Sequence, residues 1–204
     1  MNRQQFFDQF KGVFNKEEIL KISWAYHLAK KEHQKQKRDS GERYFEHCRR
    51  VALQVFCYPQ LSGAPSVKEI IVSLLHDCVE DQFPPPRLIQ TLFGEEIASG
   101  VDTLSKVTPV FDEATGKIIK KEKKDLKEYY QKIANSDIWI RRIKLCDRLD
   151  NLRSMDIWPK ARQEKYIKET WEFIMPMALQ TDRQLYEWLK KLLDWKEEKE
   201  AKNV

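Results

Sequence analysis

The stretch Leu74 to Gln82 reads LLHDCVEDQ, an apolar run that ends in His76, Asp77, Glu80 and Asp81. Read as a helix, His76 and Glu80 lie four apart, as do Asp77 and Asp81, so each pair projects from one side one turn apart. Negative charge near a helix C-terminus opposes the macrodipole. A fold that keeps Leu74 and Leu75 inside must therefore bring something positive to this spot.

Helical spacing continues almost end to end. Asn15 is placed to cap a helix from about Lys16 to Gln34, with Ile19, Leu20, Ile22, Ala25, Tyr26 and Ala29 near helical spacing. The polar segment QKQKRDSGE, closing on Ser-Gly, is a loop. Tyr44 to about Tyr58 is predicted as the second helix and Ser66 to Glu80, led in by Pro65, as the third. The PPP at 84–86 stops that helix and opens the next. Further helices are predicted over 124–135, 137–155, 161–173 and 177–195, with a frayed tail over 196–204. VTPVFDEATGKIIKK gathers β-branched residues around Ala-Thr-Gly, so either a short β-hairpin or a mobile loop is expected near 107–120. With 6 Gly and 8 Pro in 204 residues turn formers are scarce, and the expectation is a single all-α domain spanning 1–204.

Thirty-seven basic against 32 acidic residues give a net charge of +5, with both signs interspersed. That mild excess favours anionic partners but comes with no nucleic-acid motif, so no nucleic-acid partner is expected. The Lys-rich IIKKEKKDLKE is most simply a solvated helix face. No apolar run approaches the ~20 residues that cross a bilayer, and MNRQQFFDQF has no signal-peptide core, so a cytoplasmic protein with no membrane partner is expected. Cys48, Cys57, Cys78 and Cys146 form no CxxC pair, which speaks against a zinc knuckle and for reduced thiols.

Three separated segments carry ligand-type residues: His47 in RYFEHCRRVA, the LLHDCVEDQ stretch, and Asp147 in IKLCDRLDNLRSM. Taken alone, His47 suits a surface or core histidine. Asp147 lies at the border of a buried face formed by Ile140, Ile143, Leu145, Leu149 and Leu152, where a salt bridge to Arg141, Arg142, Arg148 or Arg153 would satisfy it. Taken together, the order H…HD…D is that of the HD superfamily of metal-dependent phosphohydrolases. The stretches HQKQKRDSGERYFEH, LLHDCVEDQ, FGEEIASGVDTLSKVT and IKLCDRLDNLRSM each resemble the hydrolase domain of RelA/SpoT homologues, which cleaves the alarmone ppGpp. The family forms HxxQxRxSGxPYxxHP, LLHDxVEDT and KLADRLHNMRT agree in order and spacing. The similarity runs from about Ala25 to Ala178 and takes in ETWEFIMPMA.

The resemblance implies a compact HD-domain helical bundle that hydrolyses the 3′-diphosphate of ppGpp or pppGpp to GDP or GTP and pyrophosphate. It leaves no length for the family's synthetase domain, so a stand-alone small alarmone hydrolase is expected, with a homodimer left open. By the same resemblance His47, His76, Asp77 and Asp147 bind one divalent metal per chain, typically Mn²⁺. Two imidazoles and two carboxylates suit a borderline or hard cation, and a thiolate-poor site disfavours structural zinc. Glu80 and Asp81 become the catalytic pair that orients and deprotonates the attacking water. Arg38, Ser40 and Asp39 match the loop that contacts the base, Tyr44 lies near the nucleotide, and Asn151 matches an asparagine at the sugar-phosphate region. Lys144, Arg148 and Lys106 are candidate phosphate neutralisers, though Arg148 suits a brace of the fold equally well.

The chain departs from the family pattern at Asp39, Arg43, Cys48, Gln82 and Asp150, the last standing where the family has His. Asp39 bears on the base, because an acceptor there favours the amine of adenine over the O6 of guanine. Adenine alarmones such as ppApp and pApp, or the 2′-phosphate of NADPH, are therefore the alternative substrates. A catalytically weak alarmone-binding module is the alternative of a different class.

Overall fold

The computed structural model describes residues 1–58, 66–81, 86–112, 115 and 118–202, and of 80, 81, 86 and 200–202 only the backbone. The chain runs through α1 (Arg3–Asp8), α2 (Lys16–Glu32), α3 (Tyr44–Cys57), α4 (Val67–Leu75), α5 (Cys78–Asp81), α6 (Pro86–Phe93) and α7 (Glu95–Leu104). Strands β1 (Val107–Phe111) and β2 (Ile118–Lys123) follow, then α8 (Leu126–Ala134), α9 (Ile138–Ser154), α10 (Lys160–Glu169), α11 (Met175–Thr181) and α12 (Arg183–Lys202). The all-α expectation holds. The two strands pair antiparallel, with Val107 opposite Lys123, so of the hairpin and the loop it is the hairpin that forms.

Helix α4 packs against α2, α3, α7 and α9. A helix surrounded in this way has to be apolar all round, and Ile70, Ile71, Val72, Leu74 and Leu75 are fully buried. Each gains about 1.5–3 kcal/mol by leaving water. Its neighbour α9 touches α3, α4, α7, α8, α11 and α12, yet it buries Arg142, Lys144, Asp147, Arg148 and Asp150 beside Ile143, Leu145 and Leu149. Charges survive burial only with partners. Arg142 faces Asp182 at 3.4 Å. Arg148 donates to Thr170 Oγ1 at 3.1 Å and to the Tyr130 hydroxyl, and its guanidinium lies 3.8 Å from the centre of the Tyr166 ring. Helix α7 packs close to α9 at Gly100, where a Cβ would stand 2.8 Å from Trp139 Cη2.

Local rules set most boundaries. Asn15 caps α2 as expected, its Oδ1 accepting from the Glu18 amide at 3.0 Å while Glu18 returns a bond to the Asn15 amide at 2.8 Å. The third predicted helix, by contrast, does not continue to Glu80: it ends at Leu75, and His76 and Asp77 form a turn before α5. The His76 ring takes Ser73 O through Nδ1 at 2.8 Å, the carbonyl that an unbroken helix would give to the Asp77 amide. Pro65 and the proline stop at 84–85 lie outside the described residues, and Pro86 opens α6. The helix predicted over 161–173 passes into a π-helical turn, Thr170–Ile174, where the Thr170 hydroxyl donates to Tyr166 O at 2.6 Å. The last predicted helix breaks at Asp182, whose carboxylate caps the Leu185 amide at 3.0 Å. Residues 196–202 continue α12, and Lys196 and Lys199 both reach Asp156. Among the described residues no helix is long and apolar enough to cross a membrane.

Candidate metal centre

His47 stands near the start of α3, His76 and Asp77 on the turn after α4, and Asp147 in the middle of α9, so the mutual packing of α3, α4 and α9 brings them together. His47, His76 and Asp147 are buried and each offers a ligand atom within 4.8 Å of the others. His47 Nε2 is 3.3 Å from Asp147 Oδ1 and 3.6 Å from Asp77 Oδ2. His76 Nε2 is 3.1 Å from Asp77 Oδ2 and 3.8 Å from Asp147 Oδ1. Neither Nε2 makes an aligned hydrogen bond, although both are buried. Buried polar atoms are rarely left in this state. Two of them beside two carboxylate oxygens form a mixed N/O donor set that fits a divalent cation.

The carboxylates are held from behind. Asp147 accepts Lys144 Nζ at 2.8 Å on Oδ2 and Asn151 Nδ2 at 2.6 Å on Oδ1, and Asp77 accepts the Tyr44 hydroxyl at 2.7 Å. Burial would raise the Asp147 carboxyl pKa, but Lys144 and the two imidazoles hold it well below the usual range. Burial would likewise lower the His47 imidazole, yet Asp147, Asp150 and Asp77 carry it up to about 9. His76 is also raised against burial, chiefly by the charge of Asp77. The cluster thus draws positive charge inward, as protons when no cation is bound, and a cation would displace them.

A cavity of about 320 Å³ reaches this cluster at Asp77 and Asp147. Among the described residues the cations Lys37, Arg38, Lys106, Lys144 and Arg162 line it, together with Asp39, Tyr44, Asn151, Trp158 and Tyr166. That charge suits a polyphosphate. The loop carrying Arg38 turns at Gly41, which has φ +81° and donates to Arg38 O at 2.8 Å. Arg38 then docks on α9, donating to Asn151 Oδ1 at 2.7 Å and Ser154 Oγ at 2.8 Å. Across the cavity mouth Asp39 pairs with Arg162 at 2.9 Å, and Arg162 lies 4.0 Å over the Trp158 ring.

The four residues expected to bind metal therefore converge, and Arg38, Tyr44, Lys106, Lys144 and Asn151 line the cavity beside them. Ser40 does not: it lines a neighbouring groove with Arg50 and Gln54. Arg148 points away into the Tyr130, Tyr166 and Thr170 cluster, so of its two readings the geometry favours the brace. The backbone of Glu80 and Asp81 follows the His76-Asp77 turn in α5, and their side chains lie outside the described part. Sequence reasoning missed Lys37, Trp158, Arg162 and Tyr166, and it read Asp150 only as a departure. Asp150 in fact holds His47 Nδ1 at 2.7 Å. For Asp150 helical arithmetic carried the signal, since it falls three residues after Asp147 on one helix. His33 is buried and stacks on Tyr44 with ring centres 4.9 Å apart.

The chain is also similar to known proteins. A guanosine-3′,5′-bis(diphosphate) 3′-pyrophosphohydrolase of Aquifex aeolicus is 34% identical over 160 residues, covering 77% of this chain and 21% of that protein. A GTP pyrophosphokinase of Myxococcus xanthus is 31% identical over 161 residues, covering 77% of this chain and 20% of the relative. The chain thus spans about a fifth of the length of these curated relatives. A solved structure described as a metazoan orthologue of SpoT that hydrolyses ppGpp has the same fold, with a TM-score of 0.70 at 21% identity over 86% of this chain and 95% of that one. The HD domain model matches residues 25–181, which takes in His47, the His76-Asp77 turn and Asp147, and the chain accordingly belongs to the HD domain family.

Proposed function

We propose that the chain is a metal-dependent hydrolase of ppGpp and pppGpp that removes the 3′-diphosphate to give GDP or GTP and pyrophosphate. The observation that carries this reading is the pair of unbonded, buried imidazole nitrogens beside Asp77 and Asp147 at one end of a cation-lined cavity. A relative named for this reaction supports it. His47, His76, Asp77 and Asp147 would hold one cation, Mn²⁺ by the family resemblance. When bound, it supplies Lewis acidity, neutralising phosphate charge and making water a stronger acid.

The protein's own groups do the rest. Lys37, Lys106 and Lys144 offset the charge of the substrate's phosphates. Tyr44 keeps Asp77 oriented, and Asn151 fixes Asp147 on one side and Arg38 on the other. Glu80 and Asp81 orient the attacking water and take its proton. Water oxygen attacks the phosphorus next to the ribose, the O3′–P bond breaks, the ribose 3′-oxygen leaves and takes up a proton to give GDP or GTP, and the water oxygen ends in pyrophosphate. A soluble nucleotide substrate would suit a cytoplasmic enzyme.

Asp39 motivated the adenine alternative, and its carboxylate is engaged by Arg162. That leaves guanine ahead. The test is one metal-stripped preparation assayed with and without Mn²⁺ against ppGpp, ppApp, pApp and NADPH. Release of GDP and pyrophosphate from ppGpp only after Mn²⁺ addition is the expected result. Intact ppGpp alongside cleavage of another substrate overturns the assignment, and tight alarmone binding without turnover favours the binding-module reading.

A further inference from the structure

We infer that Asp150 is the positioning residue for His47, fixing which imidazole nitrogen faces the metal; the inference rests on the metal reading above. Asp150 stands where the RelA/SpoT pattern has histidine, and here it is a buried carboxylate. Its Oδ2 lies 2.7 Å from His47 Nδ1. An ionised carboxylate has no proton to give, so the bond forms only when Nδ1 carries the hydrogen. The opposite tautomer would set two lone pairs against each other at that distance. In the neutral ring the proton on Nδ1 leaves Nε2 its lone pair, and Nε2 is the buried atom with no hydrogen bond beside Asp147 and Asp77.

The carboxylate is itself immobilised. Arg50 donates from Nε to Oδ1 at 2.8 Å and from Nη2 to Oδ2 at 3.1 Å, Gln54 donates to Oδ1 at 3.2 Å, and Arg38 reaches Oδ2 at 3.4 Å. Arg50 is pinned in turn by Glu42 at 2.6 Å. His47, Arg50 and Gln54 follow one another at three- and four-residue spacing on α3, so a single helix face carries both the ligand and the clamp on its partner. Asp150 crosses from α9 to close the circuit. A metal-binding histidine typically donates its other nitrogen to such an acceptor, and losing the acceptor costs about 10–100-fold in metal affinity.

Isothermal titration of Mn²⁺ into metal-free wild-type, Asp150→Asn and Asp150→Ala proteins tests this, with cooperative thermal unfolding as the check on folding. Both variants should bind Mn²⁺ at least about tenfold more weakly, while kcat at saturating Mn²⁺ falls less than the affinity does. Nitrogen NMR of wild-type protein loaded with diamagnetic Zn²⁺ gives a reading that needs no variant, and should place the His47 proton on Nδ1. A proton on Nε2, or folded variants that bind Mn²⁺ as tightly as wild type, overturns the inference alone. Wild-type protein that takes up no Mn²⁺ overturns the metal reading and this inference with it.

Discussion

The inner and outer ends of the cavity are built from different kinds of contact. At the inner end His47, His76 and Asp147 are buried on or beside helices that pack on one another. At the mouth Asp39 and Arg162 meet with side chains 48% and 53% exposed, Asp39 on a loop. Solvent and salt screen such an exposed pair, which is worth about 0.2–1 kcal/mol. A charge left alone at the inner end costs about 3–5 kcal/mol instead. The cavity therefore joins an inner end where a change is costly to a mouth where a change costs little. Departures from the family pattern follow that division: Asp39 sits at the mouth, while Asp150, deep inside, comes with Arg50 and Gln54 to satisfy it.

Breaking the inner end should have the largest effect. Asp77→Ala is expected to lower ppGpp turnover at least about a thousandfold, measured as pyrophosphate release in Mn²⁺; unchanged turnover would sink the site assignment. Arg148→Met separates packing from chemistry on the same helix. It should lower stability by about 3 kcal/mol in urea unfolding while KM for ppGpp at a temperature well below the transition stays put, and a raised KM would return Arg148 to the phosphate-binding set. The inner end should also respond to pH. Because the surrounding carboxylates raise the metal-free His47 pKa to about 9, a cation must displace its proton at lower pH, so Mn²⁺ affinity should fall up to about tenfold per pH unit for each proton displaced. Titrations across that range that show a flat affinity would contradict the arrangement. Smallest is the mouth: Asp39→Asn should change stability by less than about 1 kcal/mol and shift KM between guanine and adenine alarmones rather than kcat, read from the substrate panel.

How much was legible beforehand differs along the chain. The Asn15 cap and the start of α3 at Tyr44 depend on neighbours a few residues away, and pattern reasoning reached them; near 107–120 it left hairpin and loop both open and read Ile118 to Glu128 as a helix face, where Ile118–Lys123 is strand β2. The break after Leu75 was not reached, because it depends on where the His76 ring points. For the tail over 196–204 the local pattern suggests only fraying, and the contacts of Lys196 and Lys199 with Asp156, about forty residues earlier in the chain, come from the fold.

By itself the sequence determined the helical class, the order of the ligand residues and their chemistry, since periodicity and side-chain type are local properties. The tertiary structure alone decided which charges within α9 serve the site. Lys144, Asp147, Arg148 and Asp150 share one amphipathic stretch, but Lys144 meets Asp147, Arg148 meets Tyr130 and Thr170, and Asp150 meets His47 and Arg50. The physical reason is that a buried charge takes its role from the partner packed against it, and those partners come mostly from α3, α8 and the π-helical turn, segments that only folding brings alongside.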